Sequence, residues 1–157
     1  MYQYIKTTLK LLLIFIPVAL ILPSDVLAQI IINEVSPASS PEWVEIYNIS
    51  SSSASLKDYS INFGSETQNK FFCDTEVING NAFKLIILPV TTHWLSDTGD
   101  VVSLRNGDDV ADSVGYGTGY SSFKPKSTES ITRSPDGSTI WILTTQPAQQ
   151  GDIVSFY

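Results

Sequence analysis

Pro41-Glu42-Trp43-Val44-Glu45-Ile46-Tyr47-Asn48 alternates large apolar residues with charged or amide-bearing ones. Period two marks a strand with two different faces. Val44 and Ile46 share one face, and Trp43, Glu45 and Tyr47 share the other. A β-branched pair suits a packed core, whereas two aromatics with a carboxylate suit a wetter surface. On this reading Val44→Asp unfolds the domain by burying an unpaired charge, and Trp43→Ser leaves it folded.

The same pattern recurs on both sides of that strand. Ile30-Ile31-Ile32-Asn33-Glu34-Val35 reads as a preceding strand, joined to it by the proline- and serine-rich Ser36 to Pro41. Downstream, Tyr59, Ile61 and Phe63 alternate with Ser60 and Asn62, and Lys70 to Asp74 makes a short fourth strand. Asn79-Gly80-Asn81 signals a tight turn, because glycine and asparagine tolerate positive φ. Phe83 to Leu88, apolar apart from Lys84 and stopped by Pro89, reads as a buried central strand. Val101 to Arg105, Asn106-Gly107-Asp108 and Val110 to Tyr116 form a hairpin pattern. Gly115 to Ser127 reads as a surface loop, and Thr128 to Arg133 and Ile140 to Leu143 as the last strands, with a loose, amide-rich tail after Thr144. No helical period is sustained after residue 28. About eight short strands separated by turns point to an all-β fold, an antiparallel sandwich or barrel.

Residues 1–28 read as an address. Lys6 and Lys10 precede the apolar run Leu11 to Leu22, and Val26-Leu27-Ala28 offers a cleavage site between Ala28 and Gln29. Twelve apolar residues fall short of the roughly 20 that span a bilayer as a helix. The expectation is a cleaved signal peptide, export to the cell surface or beyond, and no stable membrane span afterwards. Removing residues 1–28 from the 157 leaves 129, one domain's worth. The expected division is a signal peptide over 1–28, a β-sandwich domain over 29–151 and a C-terminal tail over 152–157. Seven basic against fifteen acidic residues remain, a net charge of −8. Such a domain has no bulk attraction to phosphate backbones or anionic lipid, and Lys124 and Lys126 are a poor nucleic-acid footprint.

Cys73 is the sole cysteine, so no intrachain disulfide forms; beside Phe71 and Phe72 it reads as a small packed hydrophobe. Asn48-Ile49-Ser50 fits a glycosylation sequon. His93 is the only histidine and carries no nucleophile-elbow or His-x-x-x-His signature, so neither catalysis nor a cofactor is expected. Asp97, Asp100, Asp108, Asp109 and Asp112 crowd two turns without an Asp-x-Asp-x-Asp-Gly loop. They read as turn residues, and no metal is expected.

The order Ile32-Asn33-Glu34-Val35, Glu42-Trp43-Val44-Glu45-Ile46-Tyr47-Asn48 and Leu56-Lys57-Asp58-Tyr59 resembles the opening of the lamin-tail domain in its bacterial form. Leu95 to Leu104, Val110 to Gly117, and Glu129 to Ser138 with Trp141 following are similar to the rest of that family, so the likeness spans about residues 30 to 151. The resemblance implies an immunoglobulin-like β-sandwich serving as a non-catalytic binding or structural module on exported proteins. The expected partner is a protein or cell-envelope component. The alternative it implies is an accessory nucleic-acid-binding domain beside a nuclease or phosphoesterase.

Two groups of residues follow as candidates. Glu34, Glu45 and Arg133 stand at the family's recurring acidic and basic positions, and read as a structural network tying the last strand to the first, since buried charges persist mostly when paired. Trp43, Tyr47, Tyr116, Tyr120 and Phe123 form the candidate interaction surface, because aromatics are enriched where proteins meet partners. Against that, the same rings serve equally well half-buried at the rim of a sandwich.

Overall fold

A computed structural model describes residues 29–64, 68–145 and 151–155. The expected signal peptide therefore lies outside the described residues, with Gln29 exposed at their start. Within them are twelve strands: β1 (Ile30–Ser36), β2 (Trp43–Asn48), β3 (Ala54–Ser55), β4 (Tyr59–Phe63), β5 (Gln68–Phe71), β6 (Val77–Ile78), β7 (Phe83–Ile87), β8 (Gly99–Asn106), β9 (Asp109–Gly117), β10 (Ser130–Arg133), β11 (Trp141–Thr144) and β12 (Asp152–Ser155). They form a six-stranded sheet in the order β11-β10-β1-β2-β7-β12, a four-stranded sheet in the order β5-β4-β8-β9, and the small pair β3-β6. No helix among the described residues is long and apolar enough to cross a membrane. The architecture is an immunoglobulin-like β-sandwich.

The core lies between the two large sheets. Ile30, Ile32, Val35, Val44, Ile46, Ile86 and Ile131 meet Ile61, Phe63, Val102, Leu104, Val114 and Tyr116. Val44 and Ile46 thus take the places that the alternation predicts. In β1 the period is broken by a bulge: Ile32 pairs with Ile46, but Glu34 pairs with Glu45 and Val35 with Val44. Asn33 is the extra residue, and it turns Glu34 away from the core and Val35 into it. Without the bulge, period two would carry a carboxylate into the apolar layer.

The opposite face of β2 departs from expectation. Trp43 is 3% exposed, Glu45 is buried and Tyr47 is half-buried against Phe83, with ring centroids 4.3 Å apart. The turn after β10 contributes to this cover: Asp136 accepts from the Asn33 amide at 2.9 Å, and Gly137 lies against Tyr47 and Ile49. A sandwich sheet need not be wet on its outside when a connecting turn folds back over it.

Two further readings change. Cys73 is exposed, not packed. Phe71 points outward and Phe72 inward, and Cys73 lies beyond the strand in the turn closed by Glu76 N–H to Cys73 C=O. The segment expected to be a loose tail contains β12, which pairs with β7 in parallel register, Ile153 opposite Leu85 and Val154 opposite Ile86. The β8–β9 hairpin and its Gly107 turn fall where Asn106-Gly107-Asp108 places them. Lys84, the one charge in β7, is buried and pairs with Glu76 while donating to the Val77 carbonyl at 2.7 Å.

Candidate functional site

Glu34, Glu45 and Arg133 all lie buried against β1, each with its own partner. Arg133 reaches across from β10: Nε donates to the Ile32 carbonyl at 2.7 Å, Nη1 donates to the Ser138 carbonyl, and Nη2 meets both oxygens of Asp112 at 2.9 and 3.1 Å. Asp112 also accepts from the Ile32 N–H at 2.8 Å. The contacts tie β10 to β1, and a carboxylate bonded to Arg133 comes from β9 in the opposite sheet, a residue that the expected network did not include. Asp112 was legible only as one turn aspartate among five, because nothing in the sequence brings β9 to β1. The Trp141 ring completes the setting, 4.6 Å from the guanidinium carbon.

Glu34 accepts from the Ser130 hydroxyl, and Glu45 accepts from the Asn33 amide at 3.2 Å. Burial, opposed by the Ser130 hydrogen bond and reinforced by the nearby charge of Asp136, raises the Glu34 carboxyl to about 7. The cluster has the geometry of a tie between sheets. Its groups are buried, and Asn33 ties them to the Asp136–Gly137 turn.

The five aromatics do not form one surface. Trp43 and Tyr116 are buried, Tyr47 is stacked on Phe83, and Phe123 is half-buried against the core. Tyr120 alone stands out, at 58% exposure. Tyr116 donates from its hydroxyl to the Ser96 carbonyl at 2.9 Å, and burial, with the charges of Asp100, Glu42 and Asp97, pushes its ionisation upward. Aromatic content points to recognition and to core with equal force, and period two placed Tyr116 inside.

What the structure does expose is the edge of the larger sheet. Ile140, Ile142 and Leu143 are exposed along and beside β11, which is the last strand of its sheet among the described residues. Leu143 pairs with Ile131 and Ile142 with Thr132, so apolar side chains project on both faces of the edge. Residues 140–144 contain neither lysine nor proline, the usual protections of a free edge. The apolar run was visible in the sequence; its edge position was not.

Of the five turn aspartates, Asp100 and Asp112 are tied to protein donors, and Asp97 stands in a separate group. Asp100 accepts from the N–H of Val101 at 2.8 Å, Asp112 is held by Arg133, and Arg105 Nη1 donates to the Asp108 carbonyl at 2.9 Å. One group able to ligate a cation is found among the described residues: Glu42, His93 and Asp97. The Asn48 amide is buried, donates to the carbonyls of Ser52 and Asn79 at 2.8 and 3.1 Å, and accepts from the Ser50 hydroxyl at 2.8 Å. The Asn48 side chain is therefore engaged within the fold, out of reach of a glycan in the folded state.

A family model described as Lamin Tail Domain matches residues 23–118. That span includes β1 to β9 and stops before β10, so Arg133 and the Glu129 to Trp141 stretch lie beyond it. No curated protein compared matches the chain.

Proposed function

The chain belongs to the lamin tail domain family, and from that premise we propose that it is an exported, non-catalytic module that binds an extended segment of a protein by strand addition to β11. The observation that carries this reading is the apolar, unprotected edge formed by Ile140, Ile142 and Leu143. An added strand would hydrogen-bond along the outer side of β11, and its alternate side chains would lie against Ile142 and Leu143. Export is supported by the three-part pattern of residues 1–28, and the mass of the protein recovered outside the cell should then begin at Gln29. The non-catalytic reading is supported by the sequence around His93, which carries no nucleophile-elbow or His-x-x-x-His signature.

The test is site-specific photocrosslinking in the producing cell, with the probe at Ile142 and a control probe at the exposed Ser113 of β9. A protein adduct from Ile142 that is missing from Ser113 and abolished by Leu143→Lys is the expected outcome. Equal adducts from both positions would count against the edge. Salt-sensitive binding of duplex DNA, in which Lys124 and Lys126 are the exposed cations of interest, would favour the accessory nucleic-acid role instead.

A further inference from the structure

Glu42 opens β2 from the side of the connection before it, and its side chain is buried. Its two oxygens have separate duties. Oε2 accepts from the backbone N–H groups of Trp94 and Leu95 at 2.9 and 3.1 Å, which fixes the carboxylate in one orientation. Oε1 is left facing His93 Nδ1 at 2.9 Å. The His93 side chain is 83% exposed, so burial does not force it onto the glutamate. The donor atoms of Glu42, His93 and Asp97 all lie within 4.8 Å of one another. The same three residues line a cavity of about 160 Å³, together with Ser39, Ser40 and Thr92.

We propose that Glu42, His93 and Asp97 form a binding site for a divalent transition-metal cation of the zinc class, whose remaining coordination positions open to this cavity and are filled by water. Ligand atoms about 2.0–2.2 Å from a common ion, at angles between 90° and tetrahedral, stand roughly 2.9–3.5 Å apart. The Glu42 Oε1 to His93 Nδ1 separation falls in that range. The wider span to Asp97 is within reach of a rotamer change, since that residue is exposed on its loop. One imidazole with two carboxylates suits zinc and its neighbours better than calcium, which takes six or more oxygens. The loop is prepared for the ion. Two backbone amides hold Glu42, and the Tyr116 hydroxyl holds the Ser96 carbonyl from below. Such outer contacts orient ligands and strengthen binding. The proposal uses residues remote in sequence from β11 and stands independently of strand addition.

The test is calorimetric titration of the tag-free protein with zinc in a Cys73→Ser background, because the exposed thiol is a competing ligand. Saturable one-to-one binding is expected. It should be weakened roughly tenfold or more by His93→Ala and likewise by Asp97→Ala, and unaffected by about 1 mM calcium. Both substitutions fall on exposed side chains, and unchanged far-ultraviolet circular dichroism checks that the variants fold. Cobalt supplies a second readout on the unmutated site: a visible d–d absorption that His93→Ala abolishes supports the assignment. No saturable zinc binding, an isotherm indifferent to His93→Ala, or a cobalt signal that disappears with Cys73 would each overturn it.

Discussion

At the scale of single residues, β2 has two largely buried faces. Trp43 packs beneath the cover that period two could not foresee, so Trp43→Ser is expected to cost about 3 kcal/mol or more, as large aromatic truncations do. Urea unfolding of the two proteins measures it, and an unchanged midpoint would return Trp43 to the surface. Glu34 makes the second residue-level prediction. Its folded-state value of about 7 lies above the ordinary 4.5, with burial as the main cause. The folded protein therefore holds this proton more tightly than the unfolded chain. The stability that Glu34 contributes is complete below pH 4.5 and is lost as pH rises through about 7. At pH 8 the ionised carboxylate costs up to about 3 kcal/mol. Glu34→Gln should therefore gain on the parent between pH 5 and pH 8. Denaturation curves that keep a constant offset over that interval would contradict the raised value.

At the scale of elements, irregularities place the functional groups. The Asn33 bulge turns Glu34 outward and brings the Asn33 side chain to Glu45 and to the Asp136–Gly137 turn. At the mouth of the β8–β9 hairpin, Gly99 pairs with Gly117, and a Cβ on Gly117 would sit 2.3 Å from the Thr98 carbonyl oxygen and 2.4 Å from the Gly99 Cα. Gly117 also has a φ of +69°, which other residues adopt at a cost. Gly117→Ala should therefore lose about 2–3 kcal/mol and loosen the loop around Tyr120 and Phe123, whose carbonyl accepts from the Gly117 N–H at 2.6 Å. Thermal melting together with hydrogen exchange at Tyr120 reads both effects. Unchanged protection there would mean that the glycine pair does not anchor the loop.

At the scale of the molecule, Asp112 and Arg133 join the two sheets, and both bond to the backbone of Ile32 in β1. Arg133→Met strands a carboxylate that is mostly buried and should cost about 3 kcal/mol, whereas Arg133→Met with Asp112→Leu should recover much of it. Additive losses in that double-mutant cycle would exclude the tie. The longer strands, the Asn106-Gly107 hairpin and the core places of Val44 and Ile46 were legible in the sequence because period two and turn chemistry act over neighbouring residues, whereas the two-residue strands β3 and β6 are too short to show a period. The family's likeness was legible for the same reason, since it resides in short ordered motifs. The cover over Trp43, the parallel docking of β12 and the Asp112 partner of Arg133 were not. The same holds for the meeting of Glu42 with His93, 51 positions apart. Local alternation determined which residues share a face; only the packing of sheets, turns and edges decided which faces meet, because those contacts join segments whose separation in the chain carries no period.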